Sequence, residues 1–218
     1  MKYIRIARVE DERALARVHV DSWRSTYQGL LPQTLLEKLN YESRLAQWRD
    51  HLGNPQRSTF DLVVEHPSQG VVGFATAGPG FGSLPDFDGE LFALYLLPLW
   101  QGKGFGKKLV TRAFGAMLKQ HLRSAAVWVL KDNSACGFYE ALGGEPVAEQ
   151  RLWLEEGTVM ERAYGWPNLR RALRKIENAL SSTYPAWPWQ PRRPAGRAAK
   201  TQTPIANPPQ RPAGAAAG

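Results

Sequence analysis

Between Lys2 and Val9 apolar and polar residues alternate, with Tyr3, Ile4, Ile6 and Val9 giving β-branched and aromatic character, and this period of two predicts a first strand. The period then lengthens. Glu10, Asp11 and Glu12 put acids where a helix N-terminus favours them, and Leu15, Val18, His19, Ser22 and Trp23 follow with helical spacing. Gly29-Leu30-Leu31-Pro32 breaks that pattern, and a second helix is predicted over 33–52, with Leu35, Leu36, Leu39, Leu45 and Trp48 inside. Two β-rich runs, 60–65 and 71–76, flank His66-Pro67-Ser68-Gln69-Gly70 and predict a hairpin. After a loop rich in Gly, Pro and Asp over 78–89 the pattern changes in kind. Leu91-Phe92-Ala93-Leu94-Tyr95-Leu96-Leu97 is continuously apolar, as in a central strand buried on both faces.

Pro98-Leu99-Trp100 ends that run, and Gln101-Gly102-Lys103-Gly104-Phe105-Gly106 leads into a helix predicted to about His121. A short apolar strand over 125–130 follows, and then a helix capped by Asn133 or Ser134 and stopped by Gly143-Gly144. Residues 147–154 and 158–164 close the order as an antiparallel pair around Glu155-Glu156-Gly157. Strands and helices in this order predict one mixed α/β (α+β) sheet with helices on both faces.

Composition narrows the class. The chain has 218 residues, 43% hydrophobic and 22% charged, which suits a globular protein. No apolar run approaches the roughly 18–20 residues of a bilayer span. Met1-Lys2-Tyr3-Ile4-Arg5 lacks the apolar core of a signal peptide, and Cys136 is the one cysteine. A cytoplasmic location, no disulfide and no multi-cysteine metal site are the expectations, with Cys136 a small packing residue.

The net charge of +8 is confined to one end. Nine of the 28 basic residues and one of the 20 acids, Glu177, lie in 165–218, so residues 1–164 balance to zero. Leu169, Ala172, Leu173, Ile176, Ala179 and Leu180 share one face of a helix predicted over 168–180, with Arg170, Arg171, Arg174 and Lys175 opposite. That helix has three destinations: docking on the domain, which is the default, an anionic surface, or a second subunit in a homodimer. From about Thr183 the Pro/Ala/Arg-rich end cannot bury enough apolar area to offset chain entropy, and disorder is expected over 183–218.

The glycine loop between a buried strand and a helix is where chemistry is expected. First-turn N–H groups lack intrahelical partners, and glycines admit an anion to the backbone. A P-loop is excluded because Lys107 is followed by Lys108 rather than Ser or Thr. A dinucleotide fingerprint needs G-x-G-x-x-G, whereas this loop reads G-x-G-x-G and comes after four strands. Gln101, Gly104 and Gly106 instead match Q/R-x-x-G-x-G/A.

With its strand and helix, 94–109, this stretch resembles the GNAT superfamily of acyl-CoA-dependent N-acetyltransferases. Asn133, Phe138-Tyr139-Glu140 and Leu142-Gly143-Gly144 resemble the family's second signature, and 19–32 its acceptor-side helices. The resemblance spans about 2–164 and implies a single central, mostly antiparallel sheet of about seven strands. With the composition change after Tyr164, the chain is expected to divide into an N-acetyltransferase domain over 1–164, a basic helix over 165–182 and a tail over 183–218.

The resemblance implies acetyl-CoA as co-substrate, without a metal, and an amine acceptor. Amides from Gly102 to Lys107, including those of Lys103, Gly104, Phe105 and Gly106, would hold the pyrophosphate. Lys103, Lys107 or Lys108 would add charge. Leu94 and Leu96 would offer backbone groups to the pantetheine arm, the Leu96 N–H would polarise the carbonyl, and Asn133 would either contact the arm or cap its helix. Amine attack on a thioester needs a neutral nucleophile, and a lysine-like amine loses roughly 4 kcal/mol at neutral pH. Glu90, eleven positions before Gln101, looks equivalent to the family's strand glutamate that acts as base, often through water. Asp86, Asp88 and His19 are alternatives. Tyr139 would protonate the leaving thiolate. Trp23, Tyr27, Trp128 and Trp153 are either core or acceptor wall. Two other readings stay open: a non-catalytic acyl-CoA-binding module, and an acetyltransferase targeted to nucleic acid or the ribosome by its basic tail.

Overall fold

The computed structural model describes residues 3–181; the predicted disordered tail over 183–218 lies outside the described residues. The elements run β1 (Tyr3–Ile6), α1 (Glu12–Thr26), α2 (Gln33–Glu37), α3 (Tyr41–Gly53), β2 (Phe60–His66), β3 (Gly70–Pro79), β4 (Gly89–Leu96), α4 (Phe105–Lys119), β5 (Ala125–Leu130), α5 (Ala135–Ala141), β6 (Glu145–Leu154), β7 (Gly157–Trp166) and α6 (Leu169–Ser181). The strands form one sheet of seven in the order β1-β2-β3-β4-β5-β7-β6. Neighbours are antiparallel except β4 and β5.

Two boundaries differ from the sequence reading for local polar reasons. The first strand stops at Ile6, not Val9. The Asp11 carboxylate accepts the Arg8 N–H at 2.8 Å and the Arg5 guanidinium at 2.6 and 2.8 Å, which folds 9–11 into a 3₁₀ turn. The helix predicted over 33–52 is two helices. Asn40 is extended and its Oδ1 accepts the Ser43 N–H at 2.7 Å, so a side-chain cap begins α3 there.

Both faces of the sheet are covered. On one side Leu109, Val110, Phe114 and Met117 of α4 pack against Leu62, Leu91 and Val127, in a core that takes in Tyr139, Tyr164 and Trp166. On the other, Leu15 and Val18 of α1 and Trp48 and Leu52 of α3 meet Val63, Phe74 and Ala93. Asp61 is fully buried on β2 and accepts from Thr76 Oγ1 (2.7 Å), His51 Nε2 (2.9 Å) and Arg57 (3.2 Å), which ties α3 to the sheet. α6 docks: Leu169, Ala172 and Ile176 are buried in the α4-side core, and the Leu169 N–H bonds the Arg123 carbonyl at 2.8 Å.

Candidate active site

The site begins with a failure of pairing in the middle of the sheet. Among the described residues, β4 and β5 pair at Gly89↔Ala125 and Glu90↔Ala126 and then part. On its other edge β4 carries a register shift against β3, where Thr76 faces Ala93 and Ala77 faces Leu91, leaving Phe92 as the extra residue of a β-bulge. The parted strands open a cavity of about 700 Å³. That volume is in the usual range for a small-molecule site.

Beyond the bulge the backbone of β4 is turned to use. The Leu97 N–H bonds the Val72 carbonyl of β3 at 3.0 Å. Alternation along a strand therefore directs the N–H and C=O of Leu96, and of Leu94, toward the edge that β5 has left. Gln101 Nε2 donates to the Leu96 carbonyl at 3.0 Å, tying the glycine loop to the strand end. Leu94, Leu96, Gln101, Gly102, Gly104, Gly106 and Lys107 all line the cavity.

Gly104 has φ +78° and Gly102 φ +66°, backbone that glycine adopts without strain. A Cβ on either would meet no protein atom within 4 Å, so the glycines serve conformation and open space, not packing. No side chain caps α4, and its first intrahelical bond is Lys108 N–H to the Gly104 carbonyl at 3.1 Å. The N–H groups of Phe105, Gly106 and Lys107 precede that bond and stand at the positive end of the helix dipole. This is a donor set suited to a diphosphate.

On the far wall, Asn133 is 7% exposed; its Oδ1 accepts the Ala135 N–H at 2.8 Å, so it shapes the start of α5 while lining the cavity. Tyr139, on α5, also lines the cavity and is 5% exposed. Its ring packs against Phe138, Tyr164 and Trp166. Burial pushes its phenol well above the ordinary tyrosine range.

Of the residues predicted for the cofactor and the favoured base, four are not in the lining: Lys103, Lys108, Phe105 and Glu90. The Lys108 ammonium sits over the Phe105 ring, 5.8 Å from its centroid. The Lys103 ammonium sits over the Trp100 ring, 5.3 Å from its centroid. The Phe105 side chain is 6% exposed and belongs to the core under the loop. Glu90 lies half-buried at the last β4–β5 pair, opposite Ala126. Since Leu91 joins the α4-side core, Glu90 takes the other face, which Trp128 shares two residues beyond Ala126.

The alternative bases are placed elsewhere. His19 is fully buried among Trp23, Trp48, Phe74 and Tyr95, and burial holds its pKa well below the ordinary imidazole range. Asp88 accepts the Arg123 N–H at 2.8 Å and closes the loop against β5, and Asp86 is exposed. Cys136 is half-buried against the core, as a packing residue would be.

Of the aromatic candidates for an acceptor wall, Tyr27 and Trp128 line the cavity, Trp23 is in a small core with Leu36 and Leu39, and Trp153 is exposed. Sequence reasoning missed Ser25, Thr26, Phe92 and Tyr95, which also line it. Tyr27 and Tyr95 share a hydroxyl–hydroxyl hydrogen bond of 3.1 Å across the α1–β4 boundary. Burial raises both phenols, and that of Tyr95 well above the usual range. Phe92 carried a signal only in retrospect: it is the residue that the bulge adds.

Residues 19–144 match the model of the Acetyltransferase (GNAT) family, and the chain belongs to that family. It is an acyltransferase of the N-acetyltransferase type. Among individual proteins, it is 36% identical to the uncharacterized N-acetyltransferase YuaI of Bacillus subtilis (strain 168) over 82% of this chain and 99% of that one. The fold is shared with the PaiA N-acetyltransferase of Thermoplasma acidophilum in complex with coenzyme A (TM-score 0.56, 24% identity, 75% of this chain and 99% of that one). It is also shared with YncA of Salmonella typhimurium, solved with its cofactor acetyl-CoA (TM-score 0.59, 20% identity, 78% and 94%). Among the described residues no helix is long and apolar enough to cross a membrane, and no group of three or more His, Cys, Asp or Glu could hold a metal ion.

Proposed function

We propose that this protein transfers the acetyl group of acetyl-CoA to a primary amine, of a small molecule or a protein, by direct attack in a ternary complex. The observation that carries the reading is the parting of β4 from β5, which gathers the glycine loop, the free edge of Leu94 and Leu96, Asn133 and Tyr139 around one cavity. Acetyl-CoA supplies an acyl carbon activated as a thioester. Its diphosphate would take the amides of Gly102 to Lys107 with the Lys107 charge beside them, and its amide-bearing arm would pair with Leu94 and Leu96 along β4. Asn133, with its oxygen engaged by Ala135, offers its NH₂ to the same arm. The Leu96 N–H, pointing into the cleft, would polarise the thioester carbonyl.

The bond changes then have owners. The amine nitrogen forms a bond to the acyl carbon as the C–S bond breaks. The proton lost by nitrogen passes through ordered water to Glu90, which stands on the Trp128 face beside the cleft. The Tyr139 hydroxyl gives its proton to the departing sulfur. Burial keeps the phenol protonated at neutral pH but also makes it a weaker acid, so the transfer depends on the hydroxyl being held against the sulfur. Tyr27, Phe92 and Trp128 would form the acceptor side of the cavity.

The test is thiol release from acetyl-CoA by the purified protein across amines of different class. Release with at least one amine, coupled to an acetyl-CoA-dependent rise in melting temperature, is the expected result. A melting shift with no release from any amine would instead favour a binding module, and absence of both would overturn the reading.

A further inference from the structure

The acceptor end of the cavity is walled by aromatic rings from separate segments. Tyr27 directly follows α1, Phe92 and Tyr95 belong to β4, and Trp128 belongs to β5; all four line the cavity. The loop between β3 and β4 extends that wall. Its Phe81 ring packs on Phe92 with centroids 5.0 Å apart, and Trp128 Nε1 donates to Ser83 Oγ at 3.3 Å. Phe81 is 43% exposed, an apolar ring left at the surface beside the cavity and outside any core. The hydroxyls of Tyr27 and Tyr95 bond each other at 3.1 Å, and burial raises both phenols, so each stays uncharged near neutral pH. Among the described residues lining the cavity, Lys107 is the one that carries a charge, and it stands in the first turn of α4 at the diphosphate end. Two carboxylates share the sheet face of Trp128 but lie outside the lining. They are Glu90, the proposed base, and Glu161, which accepts Gln150 Nε2 at 2.8 Å.

We infer that the acceptor is a small primary amine carried by an uncharged aromatic body, with no second ammonium group and no carboxylate. This rests on the acetyl-transfer reading above and narrows its amine. The aromatic body fits the space bounded by Trp128, Phe92 and the Tyr27–Tyr95 pair, where ring edges and faces are available on several sides. The nitrogen is then the one group that must lose a proton, and Glu90 is the base that takes it. A polyamine or an aminoglycoside would bring further ammonium groups against this wall. Each would lose hydration with no carboxylate in the lining to replace it, and contact with ring faces returns part of that loss. An amino acid would bring its carboxylate to the same wall, and the cation of the lining, Lys107, stands at the other end.

The experiment measures thiol release from acetyl-CoA by the full-length protein with phenethylamine, phenylalanine, spermidine and kanamycin. It is repeated with the full-length variants Phe92→Ala and Phe92→Leu. For the wild type, kcat/KM for phenethylamine should exceed that for each of the other three at least tenfold. A single methylene in an apolar pocket is worth about 10–200-fold, so Phe92→Ala should raise the KM for phenethylamine at least tenfold. The KM for acetyl-CoA should stay within about threefold, because the loop and β4 backbone assigned to the cofactor are unchanged. Phe92→Leu keeps most of the bulk and should move the amine KM the same way by less, which gives a readout even where the alanine variant does not fold. A kcat/KM for spermidine, kanamycin or phenylalanine equal to or above that for phenethylamine would overturn this inference and leave acetyl transfer standing. So would an amine KM that neither variant changes. Thiol release with no amine of any class would overturn the acetyl-transfer reading, and this inference with it.

Discussion

Replacing Tyr139 by Phe removes one oxygen from the wall of the cavity and leaves the ring. The ring is 5% exposed and wedged against Phe138, Tyr164 and Trp166, and a phenylalanine keeps each of those neighbours. Stability should therefore move by no more than about 1 kcal/mol, the net worth of one hydrogen-bonding hydroxyl, and melting by about 2–4 °C for a chain of this size. The expected cost is in turnover. A positioned general acid contributes about 10²–10⁴-fold, so kcat should fall by at least about 10²-fold, roughly 2.7 kcal/mol at 1.36 kcal/mol per tenfold. KM for acetyl-CoA should stay within about twofold, since the proposed mechanism assigns the pyrophosphate and the arm to the loop and β4 and not to Tyr139. The pH profile adds a second readout. Burial raises the Tyr139 pKa in the folded protein, so its acid form persists from pH 6 to 9, and no loss of activity in that window should come from its deprotonation. The assay is steady-state thiol release for both proteins with the best amine. A variant kcat within threefold of wild type would refute the assignment of Tyr139 as the acid.

Three further perturbations test the scaffold. Gly104→Ala places a methyl where φ is +78°, which costs about 1–2 kcal/mol; the methyl meets no protein atom but would enter the space of a bound anion, so the acetyl-CoA Kd from calorimetry should rise at least tenfold. Asn40→Ala removes the side-chain acceptor of the Ser43 N–H and should lower stability to urea by about 1 kcal/mol, leaving the acetyl-CoA Kd unchanged. Burial alone would raise Asp11, but the Arg5 guanidinium and the Arg8 N–H outweigh it and hold the carboxyl below its ordinary value. With the folded pKa lowered, this contribution is present above pH about 4 and is lost as pH falls below it. Arg5→Gln should therefore narrow the stability gap between pH 7 and pH 3 in denaturant titrations, and an unchanged gap would contradict this account.

The elements whose side chains alone decide them were legible in advance. The span 125–130 is β5 because Ala125, Val127 and Val129 face one core with nothing polar to interrupt them. The glycine loop was readable because Gly102 and Gly104 adopt backbone that other residues avoid. What escaped the sequence was geometry made between segments. The apolar run from Leu91 predicts a strand buried on both faces, yet Leu94 and Leu96 are half-buried because the neighbouring strand leaves them. No local pattern announces where β5 departs, or that Phe92 is the residue a bulge adds. Lys103 and Lys107 are equivalent in sequence, but Trp100 captures one and the cavity takes the other. His19 looked chemical because histidine titrates near neutral pH; its four aromatic neighbours, drawn from α1, α3, β3 and β4, are contacts that spacing along one helix does not reveal.

Initial-rate kinetics over a grid of acetyl-CoA and amine concentrations tests the central claim most directly, because both substrates must occupy the β4–β5 cavity together for direct attack. Double-reciprocal lines that intersect, with thiol release dependent on amine, are the predicted result. Parallel lines, or thiol release that proceeds in a burst without amine, would contradict it by showing that the acetyl group first passes to the protein.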